Sequence, residues 1–156
     1  MSKVFAYRLV KKKFANEAFT GDGARIYGGR WNNKGQPCVY CASSESLAIL
    51  EVFVHIEDYS MLQSYSLFQV EMTKSDIEYI EQKALPDTWK DQPAPPETAD
   101  MGDAWLKSCQ ALALAVPSVV VPREYNYILN TLHSGFGSLV KKAKLLDFEF
   151  DTRLSV

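Results

Sequence analysis

Gly28-Gly29-Arg30-Trp31-Asn32, leading through Cys38-Val39-Tyr40 into Leu47-Ala48-Ile49-Leu50-Glu51-Val52-Phe53-Val54, is the stretch from which the fold is read. Consecutive glycines let a backbone take φ > 0 or come close to a ligand. These two precede an arginine and an indole, which suit anionic and planar groups. The unit from Arg25 to His55 therefore brings a cation, a phenol and a carboxylate close together in sequence and reads as the wall of a binding cleft.

Glu51 is the sharper half of the observation. The apolar residues on both sides leave no ordinary polar helix face, and Leu47, Leu50, Glu51 and Val54 fall on one stripe at helical spacing, so the carboxylate is expected to be enclosed. A buried glutamate takes a raised pKa or needs a cation or hydrogen-bond donors. Two readings stand side by side: a reactive carboxylate, or a structural ion pair in which Arg30, Arg25 or Arg8 neutralises Glu51.

The 156 residues suit one domain, long enough to bury a core without metal or disulfide support. A net charge of −2 with acids and bases dispersed gives no basic track of the kind nucleic-acid binding uses, and Lys11-Lys12-Lys13 and Lys141-Lys142 read as solvated faces. The Met-Ser-Lys start carries no apolar signal segment and the interior no span of membrane length, so a reduced, cytoplasmic protein is expected. Cys38-Val-Tyr-Cys41 has Cys-x-x-Cys spacing, but it lacks a second pair and sits in a strand pattern. All three cysteines therefore read as small buried thiols rather than zinc or redox groups.

Outward from the central unit, Val4–Val10 alternates as a strand with Arg8 in its interior, and an arginine there requires a partner. Thr20–Gly23 and Asn32–Pro37 are turn chemistry, so that Arg30 and Tyr40 flank a hairpin-like connection. Ser43 or Ser44 is the expected N-cap of the Glu51 helix, which should end near His55 or Ile56. Ser64–Met72 reads as a strand, and Leu85–Asp100, with four prolines, as a mobile surface loop. The spacing predicts a helix over Asp103–Leu114, a strand over Val116–Pro122 with Ser118 at its entrance, a polar-aromatic stretch over Glu124–Asn130, a helix over Gly137–Lys144 and a final strand over Lys144–Phe150.

The ordered set Tyr7-Arg8, Gly28-Gly29-Arg30-Trp31-Asn32, Tyr40, Ala48-x-x-Glu51-x-x-x-His55 and Val116-Pro117-Ser118 closely resembles the RES-domain family of bacterial toxins across nearly the whole chain. The resemblance implies a single RES domain over residues 1–156. Its fold would be α+β, an ADP-ribosyltransferase-like split mixed β-sheet core with helices around a cleft for NAD. It also implies a toxin of a toxin–antitoxin pair that cleaves NAD at the nicotinamide–ribose bond, or that transfers ADP-ribose to a protein. The partner implied is an Xre-like helix-turn-helix antitoxin covering the active site, with a homodimer or a larger toxin–antitoxin complex left open.

On that resemblance Glu51, Tyr40 and Arg30 carry the catalysis, and Arg8, Arg30, Tyr40, Ser118 and Asn32 hold NAD. NAD is the substrate, with no prosthetic group and no metal. The chemistry agrees: guanidinium groups suit the diphosphate, an aromatic wall suits the nicotinamide ring, and a carboxylate stabilises the cationic ribose of the transition state. Ser118 reads as holding the ribose or the Glu51 carboxylate, or as a turn cap, rather than as a nucleophile, because neither His55 nor His133 has a triad context. Trp31 reads as a core indole, Asn32 as shaping the loop or touching ligand, His55 as a core histidine or a neighbour of Glu51, and Glu124 as a surface acid. The pattern departs from the family after Pro122, which leaves ligand roles for Asn126 and Asn130 open. A non-catalytic nucleotide- or partner-binding module keeping an Arg30–Glu51 pair is the remaining alternative.

Overall fold

Alternation near the N-terminus produces β1 (Lys3–Lys11), one residue longer at each end than expected, in a computed structural model that describes residues 2–155. Residues 1 and 156 of the expected domain lie outside the described residues. Chain order continues α1 (Asp22–Tyr27), β2 (Val39–Ala42), α2 (Glu45–Phe53), β3 (Tyr65–Thr73), β4 (Ile77–Tyr79), α3 (Pro96–Ser108), β5 (Ala113–Pro117), β6 (Tyr125–Leu129), α4 (Phe136–Lys142) and β7 (Lys144–Leu146). The fold is α+β, a mixed seven-stranded sheet of order β4-β5-β6-β2-β1-β3-β7, parallel only between β4 and β5.

The sheet is split. β1 runs along β3 for nine residue pairs, but it meets β2 only at Tyr7 opposite Ala42. Where the strands part, Arg8 occupies the gap: its Nη1 donates to the Tyr40 carbonyl at 2.8 Å and its Nε to the Ala18 carbonyl at 2.6 Å. The strand arginine thus finds its partners in main-chain oxygens that have no ladder partner.

Period-two alternation sorts the core by face. Ala6, Val39, Cys41, Val70, Ala113, Ala115, Tyr127 and Leu129 point to one side, covered by Phe136 and Leu139 of α4. On the other side Leu114, Val116 and Ile128 meet Trp31, Trp89 and Leu106 of α3, while Leu9, Ala42 and Leu67 meet Leu47 and Ala48 of α2. α2 and α3 therefore lie on the same face, one over each half of the split sheet, with Tyr40 of β2 on that face between them.

Several expectations are corrected. Thr20–Gly23 opens α1 rather than forming a plain turn. The segment 85–95 is anchored: Leu85 and Trp89 are buried in the core under α3. α3 begins seven residues before Asp103, because Pro96 occupies the first helical position, where its missing N–H is no loss. It ends where Cys109 takes φ 51°. Ala113–Pro117 is then a fully buried strand, since a continuous apolar run reads alike for helix and strand. Residues 125–129 form β6, α4 is shorter than the expected Gly137–Lys144, and β7 spans three residues rather than seven.

Candidate active site

α2 starts where Ser44 caps it, the Ser44 Oγ accepting from the Leu47 N–H at 3.0 Å. Leu47 and Ala48 are buried against the sheet, and Glu51, one turn later, shares their inner face. Enclosure is only partial: Leu50 is 41% and Val54 57% exposed, and Glu51 is half-buried. The helix ends at Phe53, and His55 is exposed rather than a core histidine.

Ser118 lies one residue past the end of β5, not at a strand entrance, and is fully buried. Its Oγ accepts from the N–H groups of Val120 (3.1 Å) and Val121 (3.0 Å) and donates to Glu51 Oε1 at 2.8 Å. With both hydroxyl lone pairs taken by amides, the proton is left one direction, toward the carboxylate. Ser118 is thus turn cap and carboxylate holder at once, and its burial makes it a positioning residue.

No structural ion pair neutralises Glu51 among the described residues. Arg25 pairs with Asp22, and Arg8 is bound to carbonyls. Arg30 Nη1 donates to the carbonyls of Trp89 (2.8 Å) and Asp91 (2.9 Å). Burial lowers the Arg30 pKa, and the charge of Glu51, followed by those of Asp91 and Tyr40, acts the other way. Glu51 and Arg30 therefore sense one another without contact. Burial also lowers the Arg8 pKa, against a pull from Cys41 and Cys38. Neutral carbonyls fix both guanidiniums in place, and neither guanidinium touches a carboxylate among the described residues.

The glycine pair divides its two tasks. Gly28 has φ 71° at the end of α1, whereas Gly29 makes the close approach: a Cβ there would lie 2.7 Å from the Tyr40 hydroxyl and 3.0 Å from Asn32 Oδ1. That hydroxyl donates to Asn32 Oδ1 at 2.6 Å and accepts from the Trp31 N–H at 3.2 Å. Burial, followed by Cys38, pushes the Tyr40 pKa well above the ordinary phenol value, against a pull from the Trp31 N–H. The ring face is therefore the part of Tyr40 left for a ligand. Asn32 is 1% exposed and donates to the carbonyls of Ala24, Asn33 and Gln36 at 2.8, 3.2 and 3.0 Å, so its amide shapes the loop. Trp31 is a core indole, as read.

A clasp on this loop escaped the sequence reading. Asn33 donates its N–H to Asp103 Oδ1 (3.0 Å) and its side-chain amide to Asp103 Oδ2 (2.8 Å) and Asp100 Oδ1 (2.9 Å), tying the loop to α3. Gly102, between those aspartates, lies against the Trp31 backbone. An isolated glycine in a helical pattern is the one signal that could have shown a close approach here. Asn130 is buried and braces the end of α3, donating to the Leu106 carbonyl at 2.9 Å. Glu124 is exposed, as read. Cys38 and Cys41 are buried thiols pushed up to about 12 by burial, but Cys109 is exposed, because it falls at the left-handed end of α3. No helix of the described residues is long and apolar enough to cross a membrane.

The chain matches a known family model, described as the RES domain, over residues 5–151. The chain belongs to the RES domain family. It is 45% identical over 148 residues to a protein named Toxin Res from Yersinia enterocolitica, covering 95% of this chain and 97% of that one. It is also 32% identical over 146 residues to a Prs ADP-ribosylating toxin from a Sphingobium species, covering 92% and 90%. The RES fold recurs in a crystal structure of the MbcT–MbcA toxin–antitoxin complex of M. tuberculosis. That chain superposes with a TM-score of 0.72 at 16% identity, over 99% of this chain and 87% of its own length.

Proposed function

We infer that this protein is the cytoplasmic toxin of a toxin–antitoxin pair and that it consumes NAD by cleaving the nicotinamide–ribose bond. The observation that carries the reading is Glu51. A half-buried carboxylate on the inner face of α2, aimed by a 2.8 Å hydrogen bond from Ser118 and bound by no cation, keeps its negative charge for a ligand. That charge answers the oxocarbenium character that develops on the ribose as the bond breaks and nicotinamide leaves with the electron pair. The oxygen of Glu51 that Ser118 leaves free takes a ribose hydroxyl and orients the incoming acceptor.

Arg30, held by two neutral carbonyls and touching no carboxylate among the described residues, supplies a cation for the diphosphate, while Arg8 adds charge from the split behind Tyr40 and props the strand. The ring face of Tyr40 packs against the nicotinamide, and Asn32 supports Tyr40. The partner is an Xre-like antitoxin seated over the cleft mouth, where the exposed Leu50 and Val54 next to Glu51 offer an apolar rim.

Transfer of ADP-ribose to a protein is the second reading, favoured by the similarity to a relative named an ADP-ribosylating toxin. Expression without a partner is expected to arrest growth with loss of cellular NAD, and Glu51→Ala to restore both. Phosphate dependence of NAD loss in vitro separates phosphorolysis from hydrolysis, and a labelled protein band separates transfer from either. Arrest that persists in Glu51→Ala with NAD intact would contradict the reading.

A further inference from the structure

We propose that Asn126 is a substrate-contacting residue on the floor of this cleft, an assignment that rests on the NAD-cleaving reading above. The register places it. On β6, Asn126 stands opposite Ala42 of β2 on one side and Val116 of β5 on the other. Residues directly opposite in an antiparallel pair share a face, and Ala42 and Val116 lie on the face covered by α2 and α3. Tyr40 pairs with Ile128, two residues along β6, and Ser118 follows Val116 by two residues along β5. Asn126 is therefore the diagonal neighbour of Tyr40 on one side and of Ser118 on the other, each at about 7–8 Å between backbones. It stands between the aromatic wall and the serine that aims Glu51.

Its chemistry suits that place. Asn126 is half-buried, and its side-chain amide has no hydrogen-bond partner among the described residues. No buried side-chain nitrogen or oxygen is left unsatisfied among them, so the Asn126 amide keeps contact with solvent. Asn32 and Asn130, by contrast, are fully engaged with the protein. A carboxamide offers two donors and an acceptor on a planar frame and suits a neutral group that both donates and accepts. In NAD that chemistry occurs in the nicotinamide carboxamide and in the ribose diol beside the scissile bond.

The two products divide these sources, because free nicotinamide carries only the first and ADP-ribose only the second. Binding of each is measured by calorimetry or ligand-observed NMR on wild type, Asn126→Ala and Asn126→Asp, with the melting temperature as a control on folding. The expected result is a loss of at least tenfold in affinity for one product in both variants, with the other product unaffected and the melting temperature near wild type. Loss confined to nicotinamide assigns the carboxamide, and loss confined to ADP-ribose assigns the diol. In turnover, the same variants raise KM or lower kcat for NAD by at least tenfold. Unchanged affinity for both products in folded variants would overturn the role of Asn126 and leave the NAD reading standing. A wild-type protein that binds neither product and does not consume NAD would remove the reading on which the proposal rests.

Discussion

Replacing Gly102 by alanine tests whether the α3 clasp sets the geometry of the site. A Cβ at this position falls on the Trp31 carbonyl oxygen and lies 2.6 Å from its carbon and 3.1 Å from the Trp31 Cα. Carbon atoms in contact normally stand about 3.5–4.0 Å apart, so α3 and the loop must separate by roughly 1 Å. The displaced residue directly follows Arg30 and precedes the Asn32 that fixes Tyr40. Overpacking of this kind costs about 1–3 kcal/mol, part of it offset by the roughly 1 kcal/mol that alanine gains over glycine in a helix. At about 2–4 °C per kcal/mol for a domain of this size, the melting temperature should fall by a few degrees. A displacement of about 1 Å costs on the order of 10²-fold in rate. The assay pairs thermal unfolding with NAD turnover, and Gly137→Ala in α4, which meets nothing within 4 Å, is the neutral control. Full activity and an unchanged melting temperature in Gly102→Ala would refute the reasoning.

Three further perturbations follow from the same contacts. Gly29→Ala drives a methyl onto the Tyr40 hydroxyl and Asn32 Oδ1, and it should lower kcat/KM for NAD at least tenfold while the far-ultraviolet circular dichroism stays native. Ser118→Ala orphans the Val120 and Val121 amides and frees Glu51, a loss of about 1–3 kcal/mol in denaturant titration, with turnover down at least tenfold; wild-type turnover would contradict the positioning role. Native protein should expose a single thiol to a thiol reagent, Cys109, and three after denaturation. Because burial raises the Cys38 and Cys41 thiols from 9.0 to about 12, the unfolded chain loses those protons first. Their contribution to stability is complete below pH 9 and is lost as pH rises toward 12, which alkaline thermal melts would reveal.

Local chemistry made much of this legible. The Ser44 cap and the alternation of β1 and β3 follow from neighbours a few residues apart. The long-range partners did not show. Arg30 is held by carbonyls 59 and 61 residues away, and backbone acceptors carry no residue signature. The enclosure of Glu51 was overestimated because an apolar run gives composition but not how much of a helix its sheet covers, and α2 lies with one face open. Leu112–Val116 was read into a helix and the strand after it because unbroken apolarity hides period. The resulting shift placed Ser118 at a strand entrance rather than one residue past the end of β5.

The central claim is most directly tested by release of free nicotinamide from NAD by purified protein beside Glu51→Gln, a substitution that keeps the shape and removes the charge. The account predicts nicotinamide release by wild type and a loss of at least 10²-fold in the variant, with the melting temperature and ADP-ribose binding retained. Equal release by both proteins would contradict the assignment of Glu51, and no release by wild type in any buffer, with or without phosphate or a protein acceptor, would contradict the claim of NAD cleavage.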